Sequence, residues 1–179
     1  GNVSFYNGTN KKNIHPTPVI GGIGLIKKLS NPLSQNFKKT NSAIVLIGKT
    51  FGHIEQSCFL KENYSITEGM PPEINLLNEK NNGESLLKLI NKNLILSAHD
   101  ISDGGLITAL SEMTFTSNIG AKIHKPKKLT NLFKYFFGED QARYIIETET
   151  QNLPMIEKIL RESNIYYENI GFTQENYFE

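Results

Sequence analysis

The chain has 179 residues, with 19 Lys and Arg against 18 Asp and Glu, a formal net charge of +1. That length allows one large domain, or one domain and part of a second. The even charge excludes a global basic field for nucleic acid and an acidic disordered tail, and no run approaches the ~18 apolar residues of a membrane span.

Gly1 to Tyr6 reads as a short extended segment, and Asn7-Gly8-Thr9-Asn10 as a turn-rich loop. The sequence shows no signal peptide, and its start at Gly1 without an initiator Met leads us to expect a segment of a longer protein. Pro16 and Pro18 force extended geometry around Thr17. Val19 to Ile26 is apolar but interrupted by glycines, the pattern of a strand with a bulge or a close backbone approach. Lys27 to Asn41 is polar, contains Pro32 and reads as loop. Ala43-Ile44-Val45-Leu46-Ile47 is a continuous apolar run, the mark of a buried strand.

Gly48 to Ser57 reads as loop. The single cysteine, Cys58, can form neither an internal disulfide nor a zinc site, which suits a reducing compartment. No base lies near it in sequence, so a small buried side chain is expected in place of a nucleophile. Asn75 to Asn91 predicts a helix around Leu76, Leu77, Leu86, Leu87, Leu89 and Ile90, with a possible break at Asn81-Asn82-Gly83.

Leu94 to Ala98 predicts a strand. It runs into the polar turn His99-Asp100-Ile101-Ser102-Asp103-Gly104-Gly105. Leu106, Ala109, Leu110 and Met113 follow at helical spacing, giving one apolar face. Gly120 to Ile123 suits an edge strand. Lys122 to Lys128 is a local basic cluster; without interleaved aromatics it reads as a solvated loop. Leu129 to Phe137 predicts a helix, Ala142 to Glu149 a strand, Leu153 to Asn164 a helix capped by Asn152, and Ile165 to Thr173 a closing strand. The alternation from Ala43 onward indicates an α/β fold with helices packed on a sheet. The pattern leaves strand direction open. A mixed sheet is expected, because the last helix is short and its flanking strands can pair either way.

Three polar clusters carry possible chemistry. In Gly1-Asn2-Val3-Ser4, glycine permits close phosphate approach, the amide oxygen suits Mg²⁺, and the hydroxyl suits a substrate oxygen; the same residues also form ordinary turns. In the His99–Gly105 turn, Asp100 and Asp103 either share a divalent ion or cap the helix and adjacent loop. His99 is either a proton donor and acceptor or a packed structural residue. In the third cluster, Arg143 either binds an anion or pairs with Glu139 or Asp140, and the paired arrangement is the expected one. The sequence holds no Ser-His-Asp order, Cys-His pair, HExxH, P-loop or GxGxxG.

Four stretches in order, GNVSFYN, PTPVIGGIGLI, SAHDISDGGLITALSEM and FGEDQARYIIE, resemble the C-terminal part of the phosphoribosylformylglycinamidine synthase family. The form resembled is the large subunit of the bacterial multi-subunit enzyme, and the likeness runs from Gly1 to about Gly171. It implies a layered α/β/α fold of the aminoimidazole ribonucleotide synthetase C-terminal type. Residues 1–26 are then the tail of a second N-terminal domain and residues 27–179 the second C-terminal domain.

The resemblance further implies an ATP- and Mg²⁺-dependent ligase of purine biosynthesis that turns a formylglycinamide ribonucleotide into the amidine. Its ammonia comes from glutamine through a glutaminase subunit, with a small bridging subunit in the complex. Location is cytoplasmic, and no nucleic acid or membrane partner is expected. Gly1 then contacts ATP, Asn2 Mg²⁺ and Ser4 the substrate; Asp100, Asp103 and Arg143 are further candidates. The catalytic histidine of such enzymes lies in an earlier part of the protein, so His99 does not take that role and the segment alone is expected to be inactive. Gly8 stands where the family often has an acidic residue. Two other readings are a related synthetase of the same superfamily and a structural or regulatory nucleotide-binding module.

Overall fold

The computed structural model describes residues 8–9, 12–13, 21–25, 33–126, 131–175 and 177–179. The chain divides into two compact units, Gly1–Pro32 and Leu33–Glu179. In the first, β1 (Gly8–Thr9) pairs antiparallel with β2 (Lys12–Asn13). The expected strand over Val19 to Ile26 is absent across its described part, 21–25, which has no regular structure. A Cβ added at Gly21, Gly22 or Gly24 would meet nothing within 4 Å. Glycines inside a strand weaken it, having no side chain to pack. Of the loop expected over Asn7-Gly8-Thr9-Asn10, the described Gly8 and Thr9 form β1, and the other expectations before residue 27 fall outside the described residues.

The second unit is a five-stranded sheet in the order β4-β6-β3-β7-β5. Its strands are β3 (Ala43–Ile47), β4 (Ser97–Asp100), β5 (Ile119–Ile123), β6 (Tyr144–Thr148) and β7 (Tyr167–Glu175). The helices are α1 (Cys58–Tyr64), α2 (Leu76–Asn91), α3 (Gly105–Thr114), α4 (Leu132–Phe137) and α5 (Leu153–Glu162). The layered α/β class holds. All four pairings in this sheet are antiparallel, in place of the mixture of directions expected. The reason lies in β3. Antiparallel strands usually leave one face to water and alternate in polarity. Here helices cover both faces, and all five residues of β3 are buried, so its sequence carries no mark of direction.

The two faces separate cleanly. Ile44, Leu46 and Ile145 pack with Leu106, Leu110 and Met113 of α3 and with Tyr135 of α4. Val45, Ile47 and Ile146 pack with Leu89 of α2 and with Ile156 and Leu160 of α5. The register pairs Val45 with Ile146 and Leu46 with Ile145, so each face is continuous across the two strands. Each buried aliphatic side chain contributes about 1.5–3 kcal/mol by leaving water.

Several local expectations change. Helix α2 is unbroken through Asn81-Asn82-Gly83. Asn82 is buried and donates its side-chain amide to the Ala142 carbonyl at 2.8 Å. The strand expected at Leu94 begins at Ser97. Leu94 is used instead to close α2, its N–H donating to the Leu89 carbonyl. Asn152 is not the side-chain cap of α5: a 3-10 turn, Thr150–Asn152, leads into that helix with no such bond. The stretch from Cys58 to Ile66, whose pattern leaves its structure open, contains α1, capped by the Ser57 hydroxyl accepting from the Leu60 N–H.

Candidate functional site

The FGEDQAR stretch turns from the end of α4 into β6. There it meets the loop after β3 and the turn before α3. Glu139 Oε1 accepts from the N–H groups of Cys58 at 2.8 Å and Gly104 at 2.7 Å. One carboxylate oxygen therefore ties the start of α1 to the start of α3. Asp140, 4 % exposed, accepts from Phe51 and Gly52 through Oδ2 and from His53 through Oδ1, at 2.8–3.0 Å. Such amide-to-carboxylate bonds are charge-assisted and shorter than ordinary ones.

Arg143 completes the corner. Only 1 % of it is exposed. Its Nε donates to the Asp140 carbonyl at 3.1 Å, Nη1 to the Thr50 hydroxyl at 3.3 Å and Nη2 to the Gly138 carbonyl at 2.5 Å. The expected ion pair with Glu139 or Asp140 does not form: their carboxylates are spent on backbone amides, and the guanidinium is spent on oxygens of the loops. Burial lowers the Arg143 pKa, and the charge of Asp140 opposes that shift. Gly48, at φ +93°, lets the chain pass over this group, since a Cβ there would lie 2.4 Å from the Ala142 carbonyl oxygen.

The His99–Gly105 turn is built differently from its sequence expectation. Asp103 does not cap α3. The cap position is Gly104 and no side chain bonds there. Gly104-Gly105 does admit a close neighbour, and that neighbour is the protein itself: a Cβ on Gly105 would lie 2.7 Å from the Gly138 carbonyl oxygen and 2.8 Å from that of Phe136. His99 and Asp100 belong to β4, not to the turn. His99 Nε2 sits 2.8 Å from Glu112 Oε2 and Nδ1 3.3 Å from Asp100 Oδ1, fixing β4 to α3. Asp100 and Asp103 are exposed, and among the described residues no group of three or more His, Cys, Asp or Glu is placed to hold a metal ion.

Gly1, Asn2 and Ser4 lie outside the described residues. Cys58, expected to be buried, is half-buried at the first position of α1. Burial and then Glu139 push its thiol pKa up, against a nucleophilic thiolate. Beside the corner, a cavity of about 280 Å³ is lined by Phe51, His53, Asn75, Asp140 and Gln141 among others.

Two acidic residues that matter were not singled out from sequence. Glu112 is the partner of His99. Glu147, fully buried in β6, accepts from the Lys38 and Lys39 N–H groups and from the Ser97 hydroxyl, at 2.8–3.0 Å. Its signal was present: a glutamate within the strand Tyr144–Thr148 is a charge where only a paired one can stay.

An antiparallel sheet covered on both faces, with an acidic elbow locking the turn before α3, makes a layered α/β/α domain. The family of AIR synthase related protein, C-terminal domain, matches residues 39–176, and the chain belongs to it. It is similar to the phosphoribosylformylglycinamidine synthase subunit PurL of Pelagibacter ubique strain HTCC1062, with 50% identity over 98% of this chain and 24% of that relative. Among solved structures, Thermotoga maritima PurL complexed with FGAR superposes with a TM-score of 0.72 at 20% identity, over 82% of this chain and 27% of that one. The same protein complexed with ATP gives 0.63 at 18% identity, over 82% and 24%. At those identities the structures establish the fold. The chain spans about a quarter of the length of the curated relatives it matches.

Proposed function

We propose that this chain works as the C-terminal part of a phosphoribosylformylglycinamidine synthase. The reaction is formylglycinamide ribonucleotide plus glutamine-derived ammonia and ATP, giving formylglycinamidine ribonucleotide, ADP and phosphate. The observation that carries this reading is the 50% identity with the Pelagibacter ubique subunit along nearly the whole chain. ATP is the nucleotide and Mg²⁺ the metal, with Gly1, Asn2 and Ser4 as contacts for ATP, Mg²⁺ and substrate. Residues 1–26 belong to a preceding N-terminal domain and 27–179 to the C-terminal one. A glutaminase subunit and a small bridging subunit are the partners, and the location is cytoplasmic.

Within the assembled enzyme the second unit supplies support. Catalysis of this kind depends on positioning and charge stabilisation, and the acidic and cationic groups of the corner are occupied by the protein's own loops. Arg143 acts in that support and not in turnover, whereas Asp100 and Asp103 stand on the surface outside the corner. The test is an assay with ATP, ammonia and formylglycinamide ribonucleotide, run on this chain and on the longer polypeptide containing it. We expect amidine from the longer protein only. Turnover by the isolated chain, or none by the longer protein, overturns the proposal.

A further inference from the structure

A larger cavity, about 430 Å³, lies where the first part of β7 meets α4 and the stretch after β5. That volume is within the ~300–1,000 Å³ of small-molecule sites. Tyr135, Tyr166, Glu168 and Asn169 line it, with His124 and Lys125. None of these residues takes part in the corner or in the contacts proposed above.

Glu168 is the fixed feature of the wall. The Tyr135 hydroxyl donates to its Oε2 at 3.3 Å and the Tyr166 hydroxyl to its Oε1. Burial is the main cause that raises the pKa of both phenols, with Glu168 adding to it, and Tyr166 is pushed up to about 12. Both therefore remain hydrogen-bond donors at neutral pH. A carboxylate has about four lone-pair sites, so two acceptor positions remain, one on each oxygen. Two parallel acceptors beside two aromatic rings complement a planar cation with two parallel N–H donors. Lys125 is exposed and has no ion-pair partner among the described residues. It suits an acidic group on the same ligand.

We propose that this cavity binds a small guanidino or amidino acid, its planar cation paired with Glu168 and its acidic group directed to Lys125. The test is titration of the ¹⁵N-labelled chain with 4-guanidinobutyrate, followed by amide chemical shifts. Saturable shifts centred on residues 124 and 166–170 are expected. Glu168→Gln, which keeps an acceptor for one phenol, should weaken binding roughly tenfold or more, the share of a charge-assisted pair. Lys125→Ala should weaken it by a smaller factor. Equal binding of 4-aminobutyrate, which lacks the planar head, overturns the proposal on the unaltered protein alone. So do saturation elsewhere, absence of saturable shifts, and unchanged affinity in Glu168→Gln.

Discussion

The corner around Arg143 and the cavity around Glu168 both set a charged side chain among hydrogen-bonding neighbours, and they use it in opposite ways. At the corner, every carboxylate and guanidinium faces a backbone group or a hydroxyl of the same chain, and Arg143 and Asp140 are almost wholly buried. At the cavity, Glu168 is half-buried and its partners are two phenols on the wall of an open space. Buried polar groups must be satisfied internally or their burial is costly. A group next to open space can keep capacity for a ligand. The type of charged residue says little about role; what its remaining hydrogen-bonding positions face says more.

The largest way to break this contrast is Arg143→Ala. It leaves the Gly138 and Asp140 carbonyls and the Thr50 hydroxyl without their donor. It also leaves the buried Asp140 without a neighbouring cation. Leaving these three acceptors without their donor costs at least about 3 kcal/mol in all, at about 1–3 kcal/mol each. Urea denaturation should show the unfolding free energy falling by that amount, with the midpoint lowered in proportion. Arg143→Lys should recover only part of it, because an ammonium cannot reproduce the planar fork. A loss below about 1 kcal/mol would show that the loops hold themselves without the guanidinium.

Glu147→Gln comes next. The residue has no exposure and satisfies two backbone N–H groups and the Ser97 hydroxyl. An amide of the same shape must present its NH₂ to one of these donors, leaving donor against donor. We expect a loss of about 2 kcal/mol, read by thermal unfolding and by faster amide exchange at Lys38 or Lys39.

Much of this architecture was legible in the sequence. Ala43–Ile47 needed only its apolar run, and α3 only the spacing of Leu106, Ala109, Leu110 and Met113. The motif residues that the resemblance picked out also meet: Gly104 of the turn and Glu139 of FGEDQAR are hydrogen-bonded. What stayed hidden follows from long-range partners. Whether Glu139 pairs with Arg143, its near neighbour in sequence, or with amides of Cys58 and Gly104 depends on how three loops converge, and spacing holds no record of that. Strand direction was hidden for a related reason, because coverage of β3 on both faces erased the alternation that marks antiparallel strands. The start of β4 was misplaced because Leu94 to Leu96 is apolar in either use, closing a helix or opening a strand.

At the cavity, the comparison can be sharpened through pH. Tyr166 has its pKa raised from the ordinary value near 10 to about 12, first by burial and then by its hydrogen bond to Glu168. A raised pKa means that the folded state holds the proton more tightly. The resulting stability is fully present below pH ~10 and is lost as pH rises through about 12. Phenolate absorbance should accordingly show one tyrosine titrating near the upper end of that window. Tyr166→Phe should remove that step. An ordinary titration of all tyrosines would mean that Glu168 does not hold Tyr166 as a donor.

The smallest expected effect tests the turn itself. Asp103 is exposed and makes no cap on α3, whereas the Gly104 N–H beside it donates to Glu139. Asp103→Ala should therefore change stability by no more than about 0.5 kcal/mol, the range of an ordinary surface substitution. Glu139→Ala leaves the N–H groups of both Cys58 and Gly104 without their acceptor, at a cost of about 1–3 kcal/mol. Chemical denaturation of the two variants side by side separates the sources of the helix start. If Asp103→Ala proves the more damaging, α3 is held by its own flanking residue, and the elbow before β6 loses its role as the lock. If Glu139→Ala is the more damaging, the turn is fixed by a residue distant in sequence, and its aspartates remain on the surface with no part in holding it.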